Sequence, residues 1–182
     1  MKSPASHAAR GLTVIELIVV VAVSAVLIAI AAPSLTELIA TQRLRSINAE
    51  LITDMQYARG MAISRNSINV RVQFQRSSTM SCYVIFLGSF RARCDCTLQP
   101  GSVCVNAEEV RTTQILSSTD VQVTSLNGGL LTFTADGLNN MASNYQIATT
   151  RISGAPGQYL NTIGATGRPS ACYSATAGTP TC

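Results

Sequence analysis

From Leu12 to Ala32 the chain runs through 21 residues, LTVIELIVVVAVSAVLIAIAA, in which the only charge is Glu16. As a helix this run rises about 31 Å, the thickness of a bilayer's hydrocarbon core. No feature constrains the fold more, because such a helix is apolar on every side and needs lipid or other helices around it. Ahead of it stands MKSPASHAARG, short, polar and basic, which predicts a cytoplasmic N-terminus and a periplasmic location for everything after Ala32. Two plain readings compete for the run: a passive anchor, or a secretory signal peptide cut after Ala31 of the Ala29-Ile30-Ala31 triplet. Glu16 argues against both. A carboxylate inside an apolar segment costs on the order of 2.5 kcal/mol or more to insert, and neither reading has a use for it.

Beyond Pro33 the apolar pattern changes period without stopping. Leu35, Leu38, Ile39, Leu44, Ile47, Leu51, Met55, Ala58 and Ala62 recur at three- and four-residue steps, with Arg43, Arg45, Glu50, Asp54 and Arg59 largely between them. This predicts an amphipathic helix continuing the first, with one face packed on something. Pro33 lacks an N–H and clashes with the preceding turn, so a kink is expected there. Strand signals follow. Ile68, Val70, Val72 and Phe74 alternate with polar residues, and Cys82 to Leu87 reads as the hairpin partner. Weaker strand candidates are 110–116, 121–124, 130–135, 145–151 and 159–163, separated by glycine-rich turns. The Cys94–Cys104 loop and the tail after Gly167 read as irregular. The expected class is α+β, a long N-terminal helix packed against an antiparallel β-sheet. The expected division is 1–11 leader, 12–33 transmembrane segment, 34–66 helical spine and 67–182 sheet-rich periplasmic domain.

Six cysteines, Cys82, Cys94, Cys96, Cys104, Cys172 and Cys182, all follow the apolar run. An even set on one side of a membrane reads as disulfides in an oxidising compartment. Cys94-x-Cys96 lacks the spacing of a structural zinc site, so no metal is expected. Six cysteines allow fifteen pairings, and the sequence does not choose among them. Chemistry is no better provided for. The one histidine, His7, sits in the leader, there is no phosphate-binding glycine loop, and the carboxylates are scattered. Neither enzyme activity nor a cofactor is expected. Without Lys2 and Arg10 of the leader, eleven arginines face nine carboxylates, a balance that does not by itself call for nucleic acid.

Gly11 followed by LTVIELIVVVAVSAVLIAIAAP resembles the N-terminal signature of type IV pilins and type II secretion pseudopilins. The resemblance implies a cut between Gly11 and Leu12 by a prepilin peptidase that also methylates the new N-terminus at Leu12. Glu16 then becomes the fifth mature residue and Pro33 the proline at mature position 22; Leu12 departs from the family's usual phenylalanine. It further implies a pilin-like fold, an inner-membrane anchor, and major and minor pilins or pseudopilins as partners. In a filament of staggered parallel helices, Glu16 would neutralise the amine of a neighbouring chain and set axial register. The body is similar to H-type pseudopilins and FimT/FimU-type minor pilins through Leu51-x3-Met55-x2-Ala58-Arg59-x2-Ala62-Ile63-x-Arg65-Asn66, Phe133-x3-Gly137 and Gly167-Arg168. Each match also has a plain structural reading: close helix packing at Ala58 and Ala62, a turn at Gly137, and a solvated Arg59.

The expected function is a minor pilin or pseudopilin that helps initiate or cap a type IV pilus or secretion pseudopilus. The alternative is a DNA-binding minor pilin of a competence pilus, carried by Arg168. FimT-type pilins that serve transformation have a G-R-x-R pattern, and here the segment is Gly167-Arg168-Pro169-Ser170, one arginine short. Arg168 alone would make a single phosphate contact unless Arg91, Arg93 or Arg151 added to it; the plainer reading is that Gly167-Arg168 closes a hairpin. Terminal cysteines close a loop in many pilins, so the resemblance implies a Cys172–Cys182 bridge. The other four are expected to form two bridges around 82–104, with the pairing open.

Overall fold

The structure, a computed structural model, describes residues 13–65, 69–140, 144–154 and 157–174, without the side chains of 31–34, 90 and 91. Helix α1 spans Val14–Arg65, 52 residues with a basic residue in its last turn, where the helix dipole favours it. Packing divides the chain into two units, residues 1–39 and 40–182. In the first, helical residues from Val14 onward present their large apolar side chains outward. The second is a folded domain.

In the domain, α1 buries Leu44, Asn48, Leu51, Asp54, Met55, Ala58 and Ala62, a stripe at steps of three and four. Eight strands surround it: β1 (Val70–Arg76), β2 (Met80–Cys94), β3 (Cys104–Leu116), β4 (Val121–Ser125), β5 (Leu130–Phe133), β6 (Tyr145–Arg151), β7 (Gln158–Ile163) and β8 (Pro169–Ser174). They form two four-stranded antiparallel sheets, β3-β2-β1-β5 and β4-β6-β7-β8, where one sheet was expected. The tail after Gly167, expected to be irregular, begins with strand β8. The Cys94–Cys104 loop is irregular as expected, lying between the end of β2 at Cys94 and the start of β3 at Cys104.

One core joins both sheets to the helix. Val70, Val72 and Phe74 of β1, Tyr83 and Ile85 of β2, Val121 and Val123 of β4, and Tyr145 and Ile147 of β6 all enter it. Phe74 links the sheets, its ring 5.7 Å from Tyr83 and 6.0 Å from Tyr145. β2 is a central strand covered on both faces, which explains its unbroken apolar run from Cys82 to Leu87. Tyr83, Ile85 and Leu87 face the helix. Cys82, Val84 and Phe86 face the other way, into a smaller cluster with Cys94, Cys96 and Val103.

Candidate functional site: the assembly segment and the head's polar anchors

Gly11 and Leu12 lie outside the described residues. The first described residue, Thr13, stands before α1 and forms a reciprocal cap with Glu16. The Thr13 backbone N–H and hydroxyl donate to Glu16 Oε2 at 2.9 and 3.0 Å, and the Glu16 N–H donates to Thr13 Oγ1 at 3.3 Å. This is the capping-box pattern, threonine followed three residues later by glutamate. The signal for it is local, the Thr13-Val-Ile-Glu16 spacing itself. The cap leaves the carboxylate with acceptor capacity to spare. Around it, the large apolar side chains from Val14 to Ile30 are 53–76% exposed. Pro33 falls among the side chains that are not described. By length and composition no single helix among the described residues is long and apolar enough to cross a membrane; Val14–Ile30 taken together with Leu35–Arg65 passes.

In the domain, a charged group is placed inside the helix face. Asp54, its side chain 1% exposed, accepts from the Tyr83 hydroxyl at 2.8 Å and pairs with Arg111 Nη1 at 3.0 Å. Arg111 Nη2 reaches Glu50, one turn earlier on α1, at 2.9 Å. Burial pushes the Asp54 carboxyl above the usual carboxylate range despite the Tyr83 hydrogen bond and the Arg111 charge. Burial also raises the Tyr83 phenol, which stays a neutral donor. The cluster ties α1 to β2 and β3 and supplies no nucleophile. A second tie joins α1 to the other sheet, with Asn161 Nδ2 donating to Asn48 Oδ1 at 2.8 Å.

A third tie gathers the three body segments singled out in the sequence. Arg59 is half-buried and held in place: its Nε donates to the carbonyls of Gly137 at 3.1 Å and Thr166 at 3.2 Å. Gly137 and Gly167 both have φ +71°, where glycine is favoured. A Cβ on Gly137 would sit 2.6 Å from Ile63, and one on Gly167 would strike the Gly137 carbonyl oxygen. So Arg59, Gly137 and Gly167 form one close-packed clasp between α1, the turn after β5 and the β7–β8 turn. Gly167-Arg168 closes the β7–β8 hairpin, with Gly164 N–H donating to Arg168 O and Ile163 opposite Pro169. Arg168 is exposed at its tip. Of the arginines weighed as its companions, Arg151 is buried against Asp120 at 3.2 Å, Arg93 is exposed near the end of β2, and the Arg91 side chain is not described. The arginine that packs against Gly167 is Arg59, which spacing alone did not suggest.

The cysteine pairs are Cys82–Cys96 and Cys94–Cys104. Cys172 is also disulfide-bonded, while Cys182 lies outside the described residues.

The family model described as "Type II transport protein GspH" matches residues 49–167, more than half of the chain. No curated protein matches the chain significantly. Among solved structures, the Pseudomonas aeruginosa type IV minor pilin FimU aligns in two crystal forms at 20% identity and TM-score 0.52. These alignments cover 75% and 76% of this chain and 98% and 95% of FimU. At that identity the likeness speaks for the fold: a long N-terminal helix followed by antiparallel sheet, the pilin fold.

Proposed function

Given that the chain belongs to the type II transport protein GspH family of pilin-like proteins, we propose that it is a minor pilin or pseudopilin that helps initiate or cap a filament. The filament would be a type IV pilus or a type II secretion pseudopilus, and the chain would act as a structural subunit and not as an enzyme. The observation that carries the reading is the segment Val14–Ile30, apolar on every side, exposed throughout, and bearing Glu16 near its start. Such a surface needs lipid before assembly and neighbouring helices after it. In this reading a prepilin peptidase cuts between Gly11 and Leu12 and methylates Leu12. Glu16 then pairs with the amine of a neighbouring subunit, and Pro33 loosens the helix as it leaves the inner membrane. A Cys172–Cys182 bridge restrains the tail.

Two measurements test this. Intact mass of the mature chain should correspond to a methylated Leu12 start; a start at Ala32 would sink the reading. Glu16→Ala should leave cleavage intact and reduce incorporation into sheared filaments at least tenfold, whereas normal incorporation would remove the register role.

A DNA-binding minor pilin of a competence pilus is the second reading. The observation favouring it is that Arg168 is exposed at the β7–β8 tip, next to the glycine that packs on Arg59. A gel shift comparing the wild-type chain with Arg168→Ala tests it, and equal binding by the two would remove Arg168.

A further inference from the structure

The sheet β3-β2-β1-β5 is covered on both faces, and the two covers are built differently. On one face lies α1, with a continuous apolar stripe. On the other, residues 92–104 fold back over Cys82, Val84 and Phe86. Among the described side chains of that second cover, the buried ones are Val103 and the cysteines Cys94 and Cys96, with Ala92 and Cys104 partly buried, and Leu98 is exposed. The cover brings few apolar side chains of its own, one valine and one partly buried alanine beside its cysteines, so its closing gains chiefly what it hides of Val84 and Phe86, against the entropy of ordering some dozen residues.

What holds the cover is of two kinds, hydrogen-bonded and covalent. Its backbone pairs across the stem, with Cys94 opposite Cys104 and Asp95 N–H donating to Val103 O at 2.8 Å. Side chains from the sheet grip its backbone: Gln75 accepts from Cys96 N–H at 2.7 Å, Gln114 donates to the carbonyls of Cys96 and Leu98 at 2.8 and 2.7 Å, and Glu109 accepts from Gly101 N–H at 3.0 Å. In the open form water would satisfy these same groups, so their net contribution is modest. The other kind is covalent. Cys94–Cys104 closes the stem and Cys82–Cys96 pins the loop to the middle of β2.

We infer that residues 92–104 are an oxidation-dependent lid: with the four cysteines reduced it opens and uncovers Val84 and Phe86, while the helix-side core stays folded. The inference does not rest on the filament reading. Opening consumes a dithiol reductant at each bridge. Its thiolate attacks one cysteine sulfur and breaks the S–S bond; its second thiol then displaces the mixed disulfide. Two electrons and two protons pass to the cysteines, and the reductant leaves as a cyclic disulfide. Access orders the two steps. Cys82 and Cys96 are fully buried, whereas Cys104 at the stem is partly exposed. The stem bridge is therefore reduced first, and the inner bridge becomes reachable once the stem has opened.

The test uses the full chain in detergent, with Cys172 and Cys182 replaced by serine so that only the lid cysteines respond. Graded dithiothreitol followed by alkylation and peptide mapping should label Cys94 and Cys104 at least about tenfold faster than Cys82 and Cys96; equal rates would overturn the order. Full reduction should speed amide exchange of the peptide containing Cys96, Gly101 and Val103 by about 100-fold or more, the effect of releasing one ten-residue loop constraint. Peptides from β1 and β6 should stay protected, exchanging at least about tenfold more slowly than the lid. Reduction starts from the folded, oxidised chain, so none of the four lid cysteines has to be substituted. Unchanged exchange over 95–103, or loss of protection in β1 and β6 together with the lid, would overturn the inference.

Discussion

The two halves of α1 are both rich in apolar residues and have opposite surroundings. From Val14 to Ile30 the large side chains stand open to whatever surrounds the chain, whereas Leu44, Leu51, Met55, Ala58 and Ala62 are at most 1% exposed. The difference lies in arrangement. In the first half apolar residues occupy every face, and no single sheet can cover them all. In the second they keep to one stripe, with Arg43, Arg45 and Glu50 outside it, so the chain's own sheets suffice. One helix thus separates folding, which the second half does within the chain, from assembly, which the first half can do only with a medium or partners.

The sharpest way to break this comparison is a matched pair of truncations. Leu51→Ala should cost the head about 3–4 kcal/mol in urea unfolding, as a fully buried leucine does when its site cannot collapse. Val20→Ala should change head stability by less than about 0.5 kcal/mol. Equal losses would mean that the first half also belongs to the head's core.

Next in size is the ion cluster. Arg111→Ala leaves the Asp54 carboxylate buried with hydroxyl donors alone. Since Arg111 is about half exposed and partly screened, the expected loss is about 2 kcal/mol, below that of a fully buried pair. Arg59→Ala should cost about 1 kcal/mol, by releasing two carbonyls that water can partly reach, and should raise amide exchange in the β7–β8 turn. Lysine at 59 should not restore it, because a lysine ammonium cannot reproduce the planar Nε–H that meets both carbonyls.

The smallest effects concern pH and the helix start. Asp54 has a folded-state pKa above its usual 3.8, through burial. A group shifted upward binds its proton more tightly in the folded state. Its stabilising contribution is therefore complete below 3.8 and is lost as pH rises through the raised value. Unfolding midpoints should fall across that window in the wild type and flatten in Asp54→Asn. An unchanged pH slope in that variant would mean Asp54 is not the group responsible. Thr13→Val keeps the shape and removes the capping hydroxyl. It should quicken exchange at Glu16 and Leu17 severalfold, an effect of about 0.5–1 kcal/mol confined to the first turn, with no change in the head.

How much was legible follows from the range of each interaction. The strand 145–151 has in the structure the bounds its sequence predicts, because Tyr145, Ile147 and Thr149 alternate inward without outside help. Pro169–Ser174 carries no such alternation. It is a strand because β7 offers it a partner, with Leu160 opposite Cys172. A single sheet was expected because nothing local says that β1 pairs with β5 across three intervening strands. Arg59 looked solvated because its position on the helix falls between apolar residues. The carbonyls it binds lie 78 and 107 residues further along the chain.

By itself, the sequence determined the membrane-length apolar run with its one carboxylate, the helix that continues from it, and the inward faces of most strands. All of these are written as local periodicity, since a residue's face is set by its position in the turn or the pleat. Tertiary structure alone decided which strands share a sheet, how Cys82, Cys94, Cys96 and Cys104 pair, and which carbonyls hold Arg59. Those choices depend on segments far apart in the chain arriving side by side, and hydrophobic patterning is silent about which distant neighbour that will be.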